Sequence, residues 1–292
     1  MKRREFLKAT GALGAAAAVG MSGLARAAET PPAAKPKGMP MITLGGLAVS
    51  RLILGSNPFW GYSHKNPQLD EEMKQYHTDE VITKILDEAA ACGVTACASP
   101  PVKRWLDLWP KYQAGGGKLK TWISQCDCNP EQMLADIEAS VKTGAKAVFI
   151  QGGRVEEQFA RKKFDTLRAW ADRIKELGVP AGFAAHWPEV HPEIQRQKFP
   201  LDFYYQCFYN VSKGATFLPP EREKAVETLR QLEKPVIGYK ILAAGRLAPN
   251  EGFEYALAHI RKKDGVCVGI YAKTAIDQIR QNATFTEELS NM

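Results

Sequence analysis

The chain is 292 residues long, 45% hydrophobic and 24% charged, with a formal net charge of +7. That much apolar sequence supports a full core, which excludes a disordered chain and a small domain dependent on disulfides. Residues 1–27 hold five Lys or Arg and one Glu, so the 265 residues after them carry only about +3. No basic stripe is interleaved with aromatics, which argues against nucleic acid and anionic membrane as partners.

In chain order, the head Met1-Lys2-Arg3-Arg4-Glu5-Phe6-Leu7-Lys8 precedes an apolar run of Ala, Gly, Leu and Val and then Ala25-Arg26-Ala27. A basic start, a short apolar centre and a small-x-small cleavage site describe a signal peptide. The run is too short and too rich in Gly and Ala for a stable membrane span. Arg3-Arg4-x-Phe6-Leu7-Lys8 resembles a twin-arginine export signal. The resemblance implies folding in the cytoplasm, passage through the twin-arginine machinery and release into the periplasm or beyond, after cleavage near Ala27. Residues 28–40 are rich in Ala, Pro and Lys and read as a flexible tether. Residues 41–292 are expected to form one domain.

That domain opens with Ile42 to Ser50, two short strands around Gly45-Gly46, a hairpin suited to closing the bottom of a barrel. Apolar runs recur at Leu52–Gly55, Val94–Ala98, Thr121–Ser124, Ala147–Ile150, Ala181–Ala185, Phe203–Gln206, Val236–Tyr239 and Val266–Ile270. They are continuous more than alternating, as in parallel strands covered on both faces. Between them Val81-Ile82-Ile85-Leu86-Ala89, Met133-Ile137-Val141, Leu167-Trp170-Ala171-Ile174-Leu177 and Val226-Leu229-Leu232 show helical spacing. Gly93, Gly144 and Gly178 read as helix stops, and Gly265 as a fourth. Eight strands, each followed by helical sequence, predict a (β/α)8 TIM barrel. A doubly wound sheet is the rival, but its Gly-x-Gly-x-x-Gly turn is absent.

The six cysteines are Cys92, Cys97, Cys126, Cys128, Cys207 and Cys267. Four sit inside predicted elements, where a small apolar thiol packs. Folding before export takes place in a reducing compartment, which argues against disulfides. Cys126-x-Cys128 lies at a strand end; packing is the leading reading, with redox or metal chemistry as the alternative.

Leu44-Gly45-Gly46-Leu47-Ala48-Val49-Ser50-Arg51-Leu52-Ile53-Leu54-Gly55, Gly93-Val94-Thr95, Tyr239 to Leu247 and Val268-Gly269 with Gln278 and Asn282 together resemble the aldo/keto reductase family of barrels. The resemblance covers most of residues 42–283. It implies NADP as a cofactor, with Lys273, Gln278 and Asn282 at its phosphates. It also locates the positions of the family's Asp, Tyr, Lys and His, which here read Ala98, Lys103, Gln125 and Gln151. With no phenol placed as acid and no ammonium beside it, the family's hydride transfer is not expected.

Barrel active sites lie at the carboxyl ends of the strands. The polar and aromatic residues expected there are Asn57, Trp60 and His64 after the first barrel strand, Gln125 after the third, and Gln151 and Arg154 after the fourth. His186 follows the fifth, Tyr209 and Asn210 the sixth, and Lys240 the seventh. His186 suits acid–base work at neutral pH or is a hydrogen-bonded structural histidine. Lys240 either forms a Schiff base with a carbonyl substrate or carries a paired charge. His186-x-x-Glu189-x-His191 offers a divalent metal, but Pro188 breaks helical ligand spacing, and His64 with His186 is the better pair. His77 and His259 are expected in solvent. The leading expectation is an exported barrel enzyme acting by acid–base chemistry on a small polar, carbohydrate-like molecule. The alternatives are a divergent NADP-dependent oxidoreductase and a non-catalytic small-molecule-binding barrel.

Overall fold

The computed structural model describes residues 38–211, 219–274 and 277–290; the signal peptide and residues 28–37 of the tether lie outside them. Strands β1 (Met41–Leu44) and β2 (Leu47–Ser50) pair antiparallel, Leu44 opposite Leu47. Gly45 and Gly46 make the turn at φ of 55° and 92°, a region that only glycine enters at little cost.

Eight parallel strands follow: β3 (Leu52–Gly55), β4 (Ala96–Ser99), β5 (Thr121–Cys126), β6 (Ala147–Ile150), β7 (Ala181–Ala185), β8 (Phe203–Cys207), β9 (Val236–Tyr239) and β10 (Gly265–Gly269). They pair in chain order, and β10 returns to β3 with Val266 opposite Leu52, closing the barrel. Two helices, α1 (Pro67–Tyr76) and α2 (Asp79–Ala91), fill the first crossover. The others are α3 (Lys103–Ala114), α4 (Met133–Lys142), α5 (Gly152–Ala160), α6 (Phe164–Glu176), α7 (Val190–Arg196), α8 (Pro219–Gln231), α9 (Pro249–His259) and α10 (Gln278–Ser290). The expected helical stripes face the sheet: Ile82, Ile85, Leu86 and Ala89 of α2 are all buried, as are Leu167, Trp170, Ala171 and Ile174 of α6.

Two strand starts differ from the sequence reading, and four strand ends shift by one or two residues. The second barrel strand starts at Ala96, because Thr95 is taken up by the hairpin: Ser50 N donates to Thr95 Oγ1 at 2.8 Å and Thr95 N to Ser50 Oγ at 2.9 Å. Gly265 is not a helix stop but the first residue of β10. A Cβ there would lie 2.6 Å from Arg51 O and 2.8 Å from Ile42 Cδ1, so the strand needs glycine to pass the hairpin.

Inside the barrel, the hairpin's Ile42, Leu44 and Val49 join Ile53, Ile123, Ala147, Phe203 and Ile237 in one buried cluster that plugs the amino-terminal end. Towards the carboxyl ends Gly55, Ala98, Ala184 and Gly269 line the interior beside the larger Phe149, Tyr205 and Tyr239. Small residues at that level leave space where large ones would fill it. All six cysteines are free thiols. Cys126 is fully buried beside Ser124 and Ser140, and burial pushes its thiol up to about 12, which suits packing and not redox work.

Candidate active site

The small residues open a cavity of about 590 Å³ at the carboxyl ends of the strands. Of the residues expected at the mouth, Asn57, His64, Gln125, Gln151, His186, Lys240 and Gln278 line it.

His186 and Lys240 stand in one wall, with Glu156 in line behind them. His186 stands one residue past β7, its Nδ1 3.1 Å from Glu156 Oε2. The other Glu156 oxygen accepts the backbone N–H of His186 and, at 2.9 Å, that of Trp187. A carboxylate beside Nδ1 keeps the proton on that nitrogen, so Nε2 carries the lone pair. Nε2 faces Lys240 Nζ at 3.3 Å. Lys240 stands one residue past β9 at a φ of 56°, a left-handed conformation uncommon outside glycine. Burial pulls its ammonium below the ordinary lysine range, with Arg246 adding to the effect and Cys207 and Glu156 opposing it. Tyr239, just before it, meets the His186 ring edge-on with centroids 5.6 Å apart.

Glu156 was not anticipated. It lies on α5 four residues after Gly152, on the face that carries buried Gly152 and Val155. A carboxylate on the inward stripe of a barrel helix was the signal available in the sequence, since burial of such a group demands partners.

Across the mouth, His64 Nε2 lies 3.4 Å from Asn57 Nδ2. His64 is held at a φ of 56°, and Arg246 Nη2 donates to its carbonyl at 2.9 Å. Burial, then the positive charge of Lys240 and coupling to His186, push the His64 imidazole down to about 4, so this ring is neutral near pH 7. Gln151 follows β6, and its Oε1 caps α5 by accepting Arg154 N at 3.2 Å. Asp127 also lines the cavity, with its carboxyl raised by burial.

Six expected site residues lie elsewhere. Trp60 is a packing residue: its ring meets Trp105 edge-on and its Nε1 reaches Ser56 and Ser99. Arg154 is spent on Asp127 O at 2.8 Å and on Glu157. Tyr209 is buried, its hydroxyl accepting from Arg222. Asn210 is tied by its backbone N–H to Glu221. Lys273 is half exposed and paired with Glu72 at 2.6 Å. Asn282 is buried on α10.

These placements bear on the cofactor. Of the three residues expected at NADP phosphates only Gln278 reaches the cavity, and its Oε1 is occupied by Tyr271 N at 3.0 Å. Lys273 is paired with Glu72. Neither Lys273 nor the buried Asn282 lines the cavity, and Lys103, at the family's tyrosine position, is an exposed partner of Asp107. The metal alternative fares no better. His191 is fully buried with Nε2 on Tyr205 O at 2.9 Å, and Glu189 is exposed. Among the described residues no cluster of three His, Cys, Asp or Glu is arranged to hold a metal. His77 is not in solvent but buried against Phe59, Tyr76 and Tyr271, with Nδ1 2.7 Å from Met73 O.

Residues 1–20 match the family described as the TAT (twin-arginine translocation) pathway signal sequence. Among the described residues no helix is long and apolar enough to cross a membrane. A search of curated proteins finds no match. Two solved Pseudomonas aeruginosa structures described as aldo-keto reductases are similar in fold, each 16% identical, with TM-scores of 0.60 and 0.58. The alignments cover 85% and 84% of this chain and 95% and 94% of theirs. A truncated 3-deoxy-D-arabino-heptulosonate 7-phosphate synthase from Thermotoga maritima is 13% identical over 86% of this chain and 89% of its own, with a TM-score of 0.50. At these identities the likeness is one of fold: the chain carries a twin-arginine export signal ahead of an eight-stranded parallel barrel that resembles those of aldo-keto reductases.

Proposed function

We propose that this is a periplasmic barrel enzyme, cleaved near Ala27, that acts on a small polar, carbohydrate-like molecule by acid–base chemistry. The observation that carries the reading is the Glu156–His186 contact at 3.1 Å, with His186 lining a cavity at the carboxyl end of the barrel. A buried carboxylate that fixes one imidazole nitrogen leaves the other as a defined proton acceptor, as acid–base catalysis requires. His186 is the acid–base group. Lys240 sits within its reach, and Asn57, His64, Gln125 and Gln151 supply neutral donors and acceptors suited to hydroxyl groups.

The test begins with a thermal-shift screen of sugars and sugar acids, since a ligand of the folded state raises its melting temperature. Turnover of the hits is then compared in the His186→Gln variant. Glutamine keeps one hydrogen bond of similar reach, so folding and binding are expected to survive while turnover falls by roughly 10²-fold or more. Unchanged turnover in a folded His186→Gln protein would remove His186 from the chemistry. NADPH binding followed by fluorescence, with brisk aldehyde reduction, would replace this reading with an oxidoreductase. Tight ligand binding without turnover in the wild type would favour a binding barrel.

A further inference from the structure

The wall of the cavity holds an imidazole and an amine, with a buried carboxylate behind them: Glu156 Oε2 to His186 Nδ1 at 3.1 Å, and His186 Nε2 to Lys240 Nζ at 3.3 Å. That is the arrangement of an activated nucleophile, in which a base within hydrogen-bond reach is itself oriented by a third group. We propose that Lys240 is the nucleophile, forming a Schiff base with an aldehyde or ketone of the substrate, with His186 as the base that relieves it of its protons. The inference rests on the acid–base reading of this cavity and narrows it to carbonyl-bearing substrates, such as an open-chain sugar or a keto acid.

The step balances without any further reactant. Lys240 Nζ gives one ammonium proton to His186 Nε2 and attacks the carbonyl carbon. The C–N bond forms, the carbonyl π pair moves to oxygen, and the imidazolium returns the proton to that oxygen. The nitrogen then releases a second proton through His186 to the same oxygen, which departs as water while the nitrogen lone pair closes the C=N bond. The third ammonium proton stays on the iminium, which keeps the positive charge. The iminium draws electrons from an adjacent C–C or C–H bond, which is the chemistry of a lyase or an isomerase and not of a hydrolase.

Three further observations support the amine. Burial already lowers its proton affinity, so its neutral form costs less to reach than that of a surface lysine. Lys240 follows β9 directly at a left-handed φ, and its Nζ lies 3.3 Å from His186 Nε2. Lys240 and His186 both line a cavity of about 590 Å³ to which Gly55, Ala98 and Ala184 add no bulk, so a substrate carbon has room to approach.

The test uses the intact mature protein with dihydroxyacetone and sodium cyanoborohydride, followed by peptide mass mapping. Lys240 is expected to acquire the reduced adduct about tenfold or more faster than the exposed Lys103, and His186→Gln should slow Lys240 alone by about tenfold. The wild-type comparison needs no variant, so a folding defect cannot obscure it. Labelling of Lys240 no faster than Lys103, with His186→Gln still inactive toward a screened substrate, overturns the Schiff base and leaves the acid–base reading standing. The same labelling result with undiminished turnover in His186→Gln overturns both.

Discussion

At the scale of single residues, Glu156 is the positioning group on which the site turns. Its oxygens accept two backbone N–H groups and face His186 Nδ1, so it fixes both the ring and its tautomer. In Glu156→Gln the amide oxygen can keep the backbone bonds, but the NH₂ group then meets Nδ1 and forces the proton to Nε2, the atom that faces Lys240. Turnover is expected to fall by about 10²–10⁴-fold in a folded protein. Nitrogen NMR of the His186 ring should report the tautomer change, and an unaltered tautomer would sink the assignment. A second residue-scale effect concerns pH. His64 and His191 both titrate near 4 in the fold against an ordinary 6.5, burial being the main cause for each. Between those values the unfolded chain binds protons that the folded chain refuses. Stability therefore falls as pH is lowered from about 6.5 and, for these two groups, levels off below about 4. His64→Gln should flatten part of that slope in chemical denaturation measured across the window; an identical slope would mean that His64 titrates normally in the fold.

At the scale of elements, the register of α5 against β7 decides whether the site exists. Gly152 opens the helix beside the His186 ring, and a Cβ there would lie 3.0 Å from His186 Nδ1 and 3.3 Å from Tyr239 Oη. Its φ is not in the left-handed range, so Ala is acceptable to the backbone and better for the helix. Gly152→Ala is thus expected to leave thermal stability level or slightly raised while turnover drops by about tenfold, because a displacement of a few tenths of an ångström at Nδ1 disturbs the contact to Glu156. Wild-type turnover in that variant would show that the line of three groups tolerates displacement. The hairpin β1–β2 shows the opposite use of an element. Its apolar side chains complete the barrel core and its position at the far end keeps it out of the chemistry.

At the scale of the whole molecule, export and fold are linked. The twin-arginine match at residues 1–20 implies a chain that folds before it crosses the membrane. The free state of all six cysteines is consistent with folding under reducing conditions. Arg3→Lys with Arg4→Lys keeps the charge and removes the guanidinium forks. Precursor is expected to accumulate in the cytoplasm, read by fractionation and mass, and normal recovery of mature double mutant outside the membrane would refute the route. The barrel itself should fold unchanged in that precursor, because its core lies in the residues after the tether.

The barrel was legible from the sequence because continuous apolar runs, helical stripes and glycine stops are local patterns, and eight such units have few ways to bury their faces. The mouth was legible for the same reason: residues that directly follow a strand, such as His186, Gln151 and Lys240, are placed there by topology. What lies beyond the strand end was not. Trp60, Arg154, Tyr209 and Lys273 follow the same strand ends, yet the side chain of each meets a neighbour, Trp105, Glu157, Arg222 and Glu72, while Asn210 is tied through its backbone N–H to Glu221. No local pattern marks those partners, and none marks the left-handed φ that sets Lys240. Glu156 and His186 are separated by 30 residues and His186 and Lys240 by 54. Only closure of the barrel brings helix α5 and the ends of β7 and β9 together, so the line of carboxylate, imidazole and amine is a property of the tertiary fold, while the strands that carry it are properties of the sequence.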